Sequence, residues 1–192
     1  MRIIAGTLRS RSIEAPAGLA TRPTSDRLRE TLFNVLAPRI QDAVLLDLYA
    51  GSGAVGMEAL SRGAAQVVFV ERAQPALTVL RGNLAKLGLK TGFRIHAGSV
   101  GAFLRKGGAA GGFDLVFLDP PYDAGDEYAA TLGLLGGAAA GLLAAGALVI
   151  AEHRRNQKLG DRYGLLGRTR LLEQGDAALS FYTAGQTAET ED

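Results

Sequence analysis

"LDLYAGSGAVG", residues 46–56, decides how the fold is read. Its glycines, Gly51, Gly53 and Gly56, are spaced G-x-G-x-x-G, and an acid, Glu71, stands twenty positions after the first. Glycines so placed turn a strand tightly into a helix and let a ligand approach the backbone at the helix N-terminus. The glycine pattern alone leaves three occupants open: a nicotinamide dinucleotide, S-adenosylmethionine, or packing only.

Outward from this loop, between Ala43 and Ile150, short β-branched runs alternate with amphipathic stretches. That alternation predicts a parallel sheet covered by helices. Strands are expected at Val44–Leu48, Val67–Glu71, Phe93–Ala97, Leu115–Leu118 and Leu148–Ala151. One helix is marked by Pro75 near its start, by Leu77, Leu80, Leu84 and Leu87 at helical spacing, and by Gly88 past its end. The uncharged stretch Ala129–Ala151 is long enough to span a bilayer, but its many alanines and glycines favour a buried helix pair feeding a strand. After His153, two alternating runs flank Gly175 and Asp176 and predict an antiparallel hairpin closing the sheet edge.

The expected fold class is therefore α/β: a doubly wound, mostly parallel sheet with a C-terminal antiparallel hairpin and a small N-terminal extension. The extension reads as a β-rich hairpin piece, Arg2–Ile13, a loop with Pro16 and Gly18, and an amphipathic helix from about Ser25 to Leu36. Boundaries follow at residues 1–38 for the extension, 39–185 for the main domain and 186–192 for a polar tail expected to be disordered.

The 192 residues, 47% apolar and 21% charged, fit a globular protein with a full core. The absence of cysteine excludes disulfides, thiolate nucleophiles and cysteine-ligated zinc. With only His96 and His153 as imidazoles, no metal site is expected. No apolar leader opens the chain, so a cytoplasmic location is expected, without a membrane anchor. Charge is unevenly placed. Between Arg2 and Arg29, six arginines (Arg2, Arg9, Arg11, Arg22, Arg27 and Arg29) meet two acids, Glu14 and Asp26, a net of +4 against +2 for the whole chain. Arginine suits bidentate phosphate contacts and base stacking, so this stretch is a candidate nucleic-acid surface.

Asp47 bears on the ligand. It ends the first strand four residues before Gly51. A carboxylate there repels a pyrophosphate and attracts an ammonium or sulfonium, by about 1–4 kcal/mol at surface-like dielectrics. S-adenosylmethionine carries both cations and no phosphate. Glu71 suits either cofactor, because a carboxylate at the end of the second strand can accept both hydroxyls of a ribose.

A second motif, "FDLVFLDPPYD", places Asp119, Pro120, Pro121 and Tyr122 directly after an apolar strand, at the same sheet edge as the glycine loop. Two prolines stiffen this turn and leave the Pro120 carbonyl outside any helix. The exocyclic amine of a nucleobase is a poor nucleophile, since its lone pair is delocalised into the ring. Hydrogen bonds from its N–H groups to Asp119 and the Pro120 carbonyl orient the lone pair toward a methyl donor, and Tyr122 offers a stacking face.

Taken together, "RIIAGTLRSR", "RPTSDRLRETLFNVLAP", "LDLYAGSGAVGMEALSRGA" and "LDPPYD" resemble the bacterial 16S rRNA (guanine(966)-N(2))-methyltransferase family of Rossmann-like S-adenosylmethionine-dependent enzymes. The resemblance reaches to about Tyr122 and implies transfer of one methyl to a guanine N2 amine in small-subunit ribosomal RNA. It places Asp47, Gly51, Gly53 and Glu71 around the cofactor, with Tyr49 packing under the loop, and Asp119, Pro120, Pro121 and Tyr122 around the amine. Such enzymes usually show Asp or Asn beside the adenine ring; here Ser99 and the Val100 backbone stand there. Arg2, Arg9, Arg11, Arg22, Thr24, Arg27 and Arg29 become the expected RNA contacts, and an assembling small ribosomal subunit the expected partner of a monomer. An adenine-N6 methyltransferase, an NAD-dependent oxidoreductase and a non-enzymatic RNA-binding module remain the competing readings.

Overall fold

A computed structural model describes residues 1–15, 26–107, 112–121 and 125–185. Arg22, Thr24, Tyr122, the loop with Pro16 and Gly18, and the tail from residue 186 therefore lie outside the described residues.

The apolar runs form parallel strands β1 (Val44–Leu48), β2 (Gln66–Glu71), β3 (Phe93–Ala97), β4 (Phe113–Leu118) and β5 (Leu143–Arg154). The chain then adds β6 (Arg162–Tyr163), β7 (Leu166–Gln174) and β8 (Ala177–Ala184), all antiparallel to their neighbours. Sheet order is β3-β2-β1-β4-β5-β8-β7-β6, so strand order reverses beside β1, between the two halves of the parallel sheet. Ligands of open α/β sheets bind at that crevice, outside the carboxyl ends of the strands.

Alternate strand residues feed two cores. Leu45, Phe69, Leu115, Phe117 and Ile150 lie on one face with helices α1 (Asp26–Leu36), α2 (Ala54–Ser61) and α3 (Gln74–Lys86). Leu46, Leu48, Val116, Leu118 and Val149 lie on the other with α4 (Val100–Lys106) and α5 (Gly125–Leu135). The central strands are thus apolar on both sides, which is why they read as continuous runs rather than alternating ones.

The N-terminal piece doubles back on itself: Arg2 bridges Ser12 in antiparallel fashion, with the Ile3 N–H donating to the Arg11 carbonyl at 2.9 Å and the Ile13 N–H to the Met1 carbonyl at 3.0 Å. It also serves as a strap: Ile3 and Ile13 enter the core, while the Ile4 and Ala5 N–H groups donate to the Glu58 carboxylate on α2 at 2.7 and 3.0 Å. Two expectations are corrected. The Ala/Gly stretch is no helix pair. It gives the end of α5, a short 3₁₀ turn at Ala140–Leu142 and then β5, which starts at Leu143 with a register shift against β4. Alanine and glycine carry little periodicity, so the bounds of these elements were not legible. Finally, His153 sits inside β5, opposite Ala178, rather than beyond the strand. Among the described residues no helix is long and apolar enough to cross a membrane.

Candidate active site

From the end of β1 the chain reverses through three left-handed residues, Tyr49 (φ 60°), Gly51 (φ 56°) and Gly53 (φ 79°), and enters α2. Gly56 has a different reason: a Cβ there would stand 2.2 Å from the Phe69 ring, so the third glycine lets α2 rest on β2. None of the three selects a ligand by itself.

Asp47 adds a carboxylate to the loop. It is 2% exposed, and its Oδ2 accepts the Gly56 N–H at 3.0 Å, in the first turn of α2. The helix N-terminus, where a pyrophosphate would be received, is already occupied by a protein carboxylate. Burial pushes the Asp47 carboxyl up to about 8, against the Gly56 hydrogen bond and with help from nearby Glu71. A cation arriving beside it favours ionisation.

Glu71 is held by the backbone. Its Oε2 accepts Gly51 N–H at 2.9 Å and its Oε1 accepts the N–H groups of Arg72 and Ala73, both at 2.8 Å. The same carboxylate therefore fixes the glycine loop and the turn into α3. Ser99 caps α4, accepting Ala102 N–H at 3.3 Å, which leaves its hydroxyl proton free for another acceptor.

These groups surround one cavity of about 650 Å³, within the range of about 300–1,000 Å³ usual for small-molecule sites. Asp47, Tyr49, Gly51 and Glu71 line it on one side, Ser99 and Val100 on another, and Asp119 and Pro121 on a third. Gly53 and Pro120 are buried and are not among the lining residues. Burial also raises the Asp119 carboxyl well above the usual carboxylate range, and the nearby carboxylates of Glu152 and Asp47 push the same way.

The sequence reading missed several neighbours. Tyr49 Oη donates to Glu127 Oε2 at 2.7 Å and lies 2.7 Å from Thr131 Oγ1, joining the glycine loop to α5. Asn83 donates to the carbonyls of Ser52 and Glu14 at 3.0 Å and accepts Glu14 N–H at 2.8 Å, so α3 ties the loop to the N-terminal strap. Arg72 and Arg105 also line the cavity. Only Glu152 had a usable signal: "LVIAE" ends an apolar strand in an acid, as "VVFVE" and "LVFLD" do.

Among the arginines, Arg2, Arg9 and Arg27 are exposed. Arg11 is exposed too, but its guanidinium donates to the Lys86 and Leu87 carbonyls at 2.7 Å and caps α3. Arg29, expected at the RNA surface, is fully buried. Its charge faces Asp26 at 3.0 Å and Glu58 at 3.8 Å, and it donates to the Arg2 carbonyl at 2.5 Å. Arg29 is therefore a structural cation joining strap, α1 and α2. Arg29→Ala is expected to lower stability by about 3 kcal/mol in denaturant unfolding, whereas Arg9→Ala changes it by less than about 0.5 kcal/mol.

The chain is similar to several known proteins. YlbH of Bacillus subtilis (strain 168), a candidate rRNA methyltransferase, is 35% identical over 183 residues, 95% of this chain and 98% of its own. Ribosomal RNA small subunit methyltransferase D of Escherichia coli (strain K12) is 42% identical over 125 residues, 65% of this chain and 62% of that protein. Among solved structures, the candidate methyltransferase yhhF from Escherichia coli matches with a TM-score of 0.82 at 37% identity, over 96% of this chain and 97% of that one. The model of the family described as "Conserved hypothetical protein 95" matches residues 1–183, and this chain belongs to that family.

Proposed function

We propose that this chain is an S-adenosylmethionine-dependent methyltransferase that modifies the exocyclic N2 amine of a guanine in 16S, small-subunit, ribosomal RNA. The observation that carries the reading is the pairing, in one cavity, of a buried acid on a helix N-terminus, Asp47, with a second acid on a proline-stiffened turn, Asp119. The first suits a cationic amino-acid end, and the second suits an amine.

S-adenosylmethionine supplies a methyl group on a sulfonium. Asp47 and the Gly51 region receive the methionyl ammonium, Glu71 the ribose hydroxyls, and Ser99 with the Val100 backbone the adenine edge. Asp119 and the Pro120 carbonyl accept the two N–H bonds of the target amine and aim its lone pair at the methyl carbon, the gain being one of orientation. Guanine fits an acceptor-only carboxylate because its N1–H and N2 amine are adjacent donors, whereas adenine sets an acceptor beside its amine. Tyr122 stacks on the base. Residues 1–38 form the RNA-contacting extension. Arg2, Arg9 and Arg27 meet phosphates there, with Arg22 and Thr24 near the target nucleotide. The enzyme works as a cytoplasmic monomer on an assembling small subunit.

Purified protein incubated with isotopically labelled S-adenosylmethionine and either naked 16S rRNA or assembled subunits tests this, with nucleoside analysis of the product. N2-methylguanosine is the expected outcome. Label on adenine or on DNA defeats the guanine assignment, calorimetric binding of NAD in place of S-adenosylmethionine defeats the enzyme class, and RNA affinity without turnover leaves a binding module.

A further inference from the structure

Four acids stand in a row along the carboxyl edge of the sheet, on neighbouring strands. Glu71 ends β2 and Asp47 lies on β1. Asp119 follows β4, and Glu152 lies near the end of β5. Asp47 is level with Phe117 and Ile150, which belong to the core beneath α1–α3. Asp119 and Glu152 each stand two residues further along those two strands, so the pleat turns them to the same face. They also each follow the paired residues Leu118 and Ala151, on strands spaced about 4.8 Å apart. Glu152 is 2% exposed, and the Tyr128 hydroxyl on α5 donates to its backbone carbonyl at 2.9 Å, which pins this end of β5. Glu71, Asp47 and Asp119 have ligand roles in the function above; Glu152 is the fourth member and has none.

We propose that Glu152 is a positioning residue for methyl transfer, acting through Asp119: its buried charge beside Asp119 makes that carboxylate a stronger acceptor for the target amine. The proposal rests on the function above. As the target nitrogen bonds to the methyl carbon, the C–S electron pair remains on sulfur and the nitrogen becomes cationic. Its proton then passes to the Asp119 carboxylate, and a like charge on the next strand raises the affinity of Asp119 for that proton. The raised Asp119 carboxyl, with burial the largest cause and the Glu152 carboxylate a larger one than Asp47, agrees with this placement. Besides Asp47 and Asp119, the charged side chains lining the cavity are Glu71, Arg72, Arg105, Asp126 and Glu127. Strand β4 lies between β1 and β5, so Asp119 has an acid on each side: Asp47 on β1, level with Phe117 and two residues back, and Glu152 on β5, level with Asp119 itself.

The test compares Glu152→Gln and Glu152→Asp with the unaltered protein. The Asp119 carboxyl is titrated by ¹³C NMR on aspartate-labelled protein and assigned with Asp119→Asn, and kcat is measured across pH with rRNA substrate. In Glu152→Gln the Asp119 midpoint is expected to fall by about one pH unit or more, and the acid limb of kcat to move down with it. Its plateau kcat drops about tenfold while KM for S-adenosylmethionine stays within about twofold. Glu152→Asp, which keeps the charge, restores most of both. An Asp119 midpoint unmoved in a folded Glu152→Gln protein overturns the proposal, as does an unchanged kcat profile. Should the unaltered protein methylate no rRNA, the assigned function falls, while the NMR titration still decides whether Glu152 tunes Asp119.

Discussion

Asp119→Ala is expected to lower the rate of methyl transfer by about 10³-fold while S-adenosylmethionine binding stays within about threefold. The size follows from what Asp119 does. It lines the cavity at the end of β4, and in the proposed reaction it holds an amine that has no nucleophilic lone pair until its N–H bonds are fixed. Removing one preorganised polar partner at a reacting centre costs about 10²–10³ in rate, and losing the proton acceptor adds to that. Asp119→Asn keeps one acceptor oxygen but sets a donor beside the amine, so an intermediate loss is expected. Single-turnover rates alongside calorimetric titration separate chemistry from binding. Normal turnover in Asp119→Ala removes this residue from the reaction.

Asp47→Asn reverses the balance between binding and stability. Taking away a buried carboxylate that faces a ligand ammonium is expected to weaken S-adenosylmethionine binding about 100-fold. The same change stabilises the ligand-free protein, and the pH window follows from the raised carboxyl. An unfolded aspartate loses its proton near pH 3.9, about the model-peptide value, whereas folded Asp47 keeps its proton up to about 8. Between those values the folded state binds more protons, so stability falls as pH rises through the window and levels off above it. Asparagine removes this term. At pH 8 a gain in Tm on the order of 5 °C is expected, with little gain at pH 4. Binding shows the mirror image. Affinity in the unaltered protein climbs as pH approaches 8, with proton release at neutral pH that calorimetry in buffers of different ionisation enthalpy detects. A pH-independent affinity, or a destabilised asparagine variant at pH 8, contradicts this account of Asp47.

What the sequence disclosed, and what it hid, divides along distance in the chain. The parallel strands, the helix through Leu77 and Leu84, and the turn at Gly175 were readable because their signals lie within a few residues of each other. So was the meeting of the Asp47 and Asp119 loops, since strands of a doubly wound sheet send their carboxyl ends to one edge. Arg29 was not readable. Its position on an amphipathic helix is compatible with solvent, and only Glu58, twenty-nine residues away and likewise buried, shows why a guanidinium is inside. The Tyr49 contact to Glu127 and Thr131 depends on how α5 is seated, which no local pattern specifies. Glu152 was legible in principle, but the expected strand stops at Ala151, three residues before β5 ends at Arg154.

The strap described above has a consequence for the order in which the protein can assemble. Its anchors lie far downstream: Glu58 and Ser61 for residues 4–8, Asn83 for Glu14, and the Lys86 and Leu87 carbonyls for Arg11. During synthesis residues 4–14 therefore have nowhere to dock until the residues up to Leu87 have followed them. Contacts so distant in sequence close late, because the loop between them must be ordered first. Since Met1 and Ala15 line the cavity, the wall made from residues 1–15 is among the last to be put in place, although it is synthesised before the rest of the site.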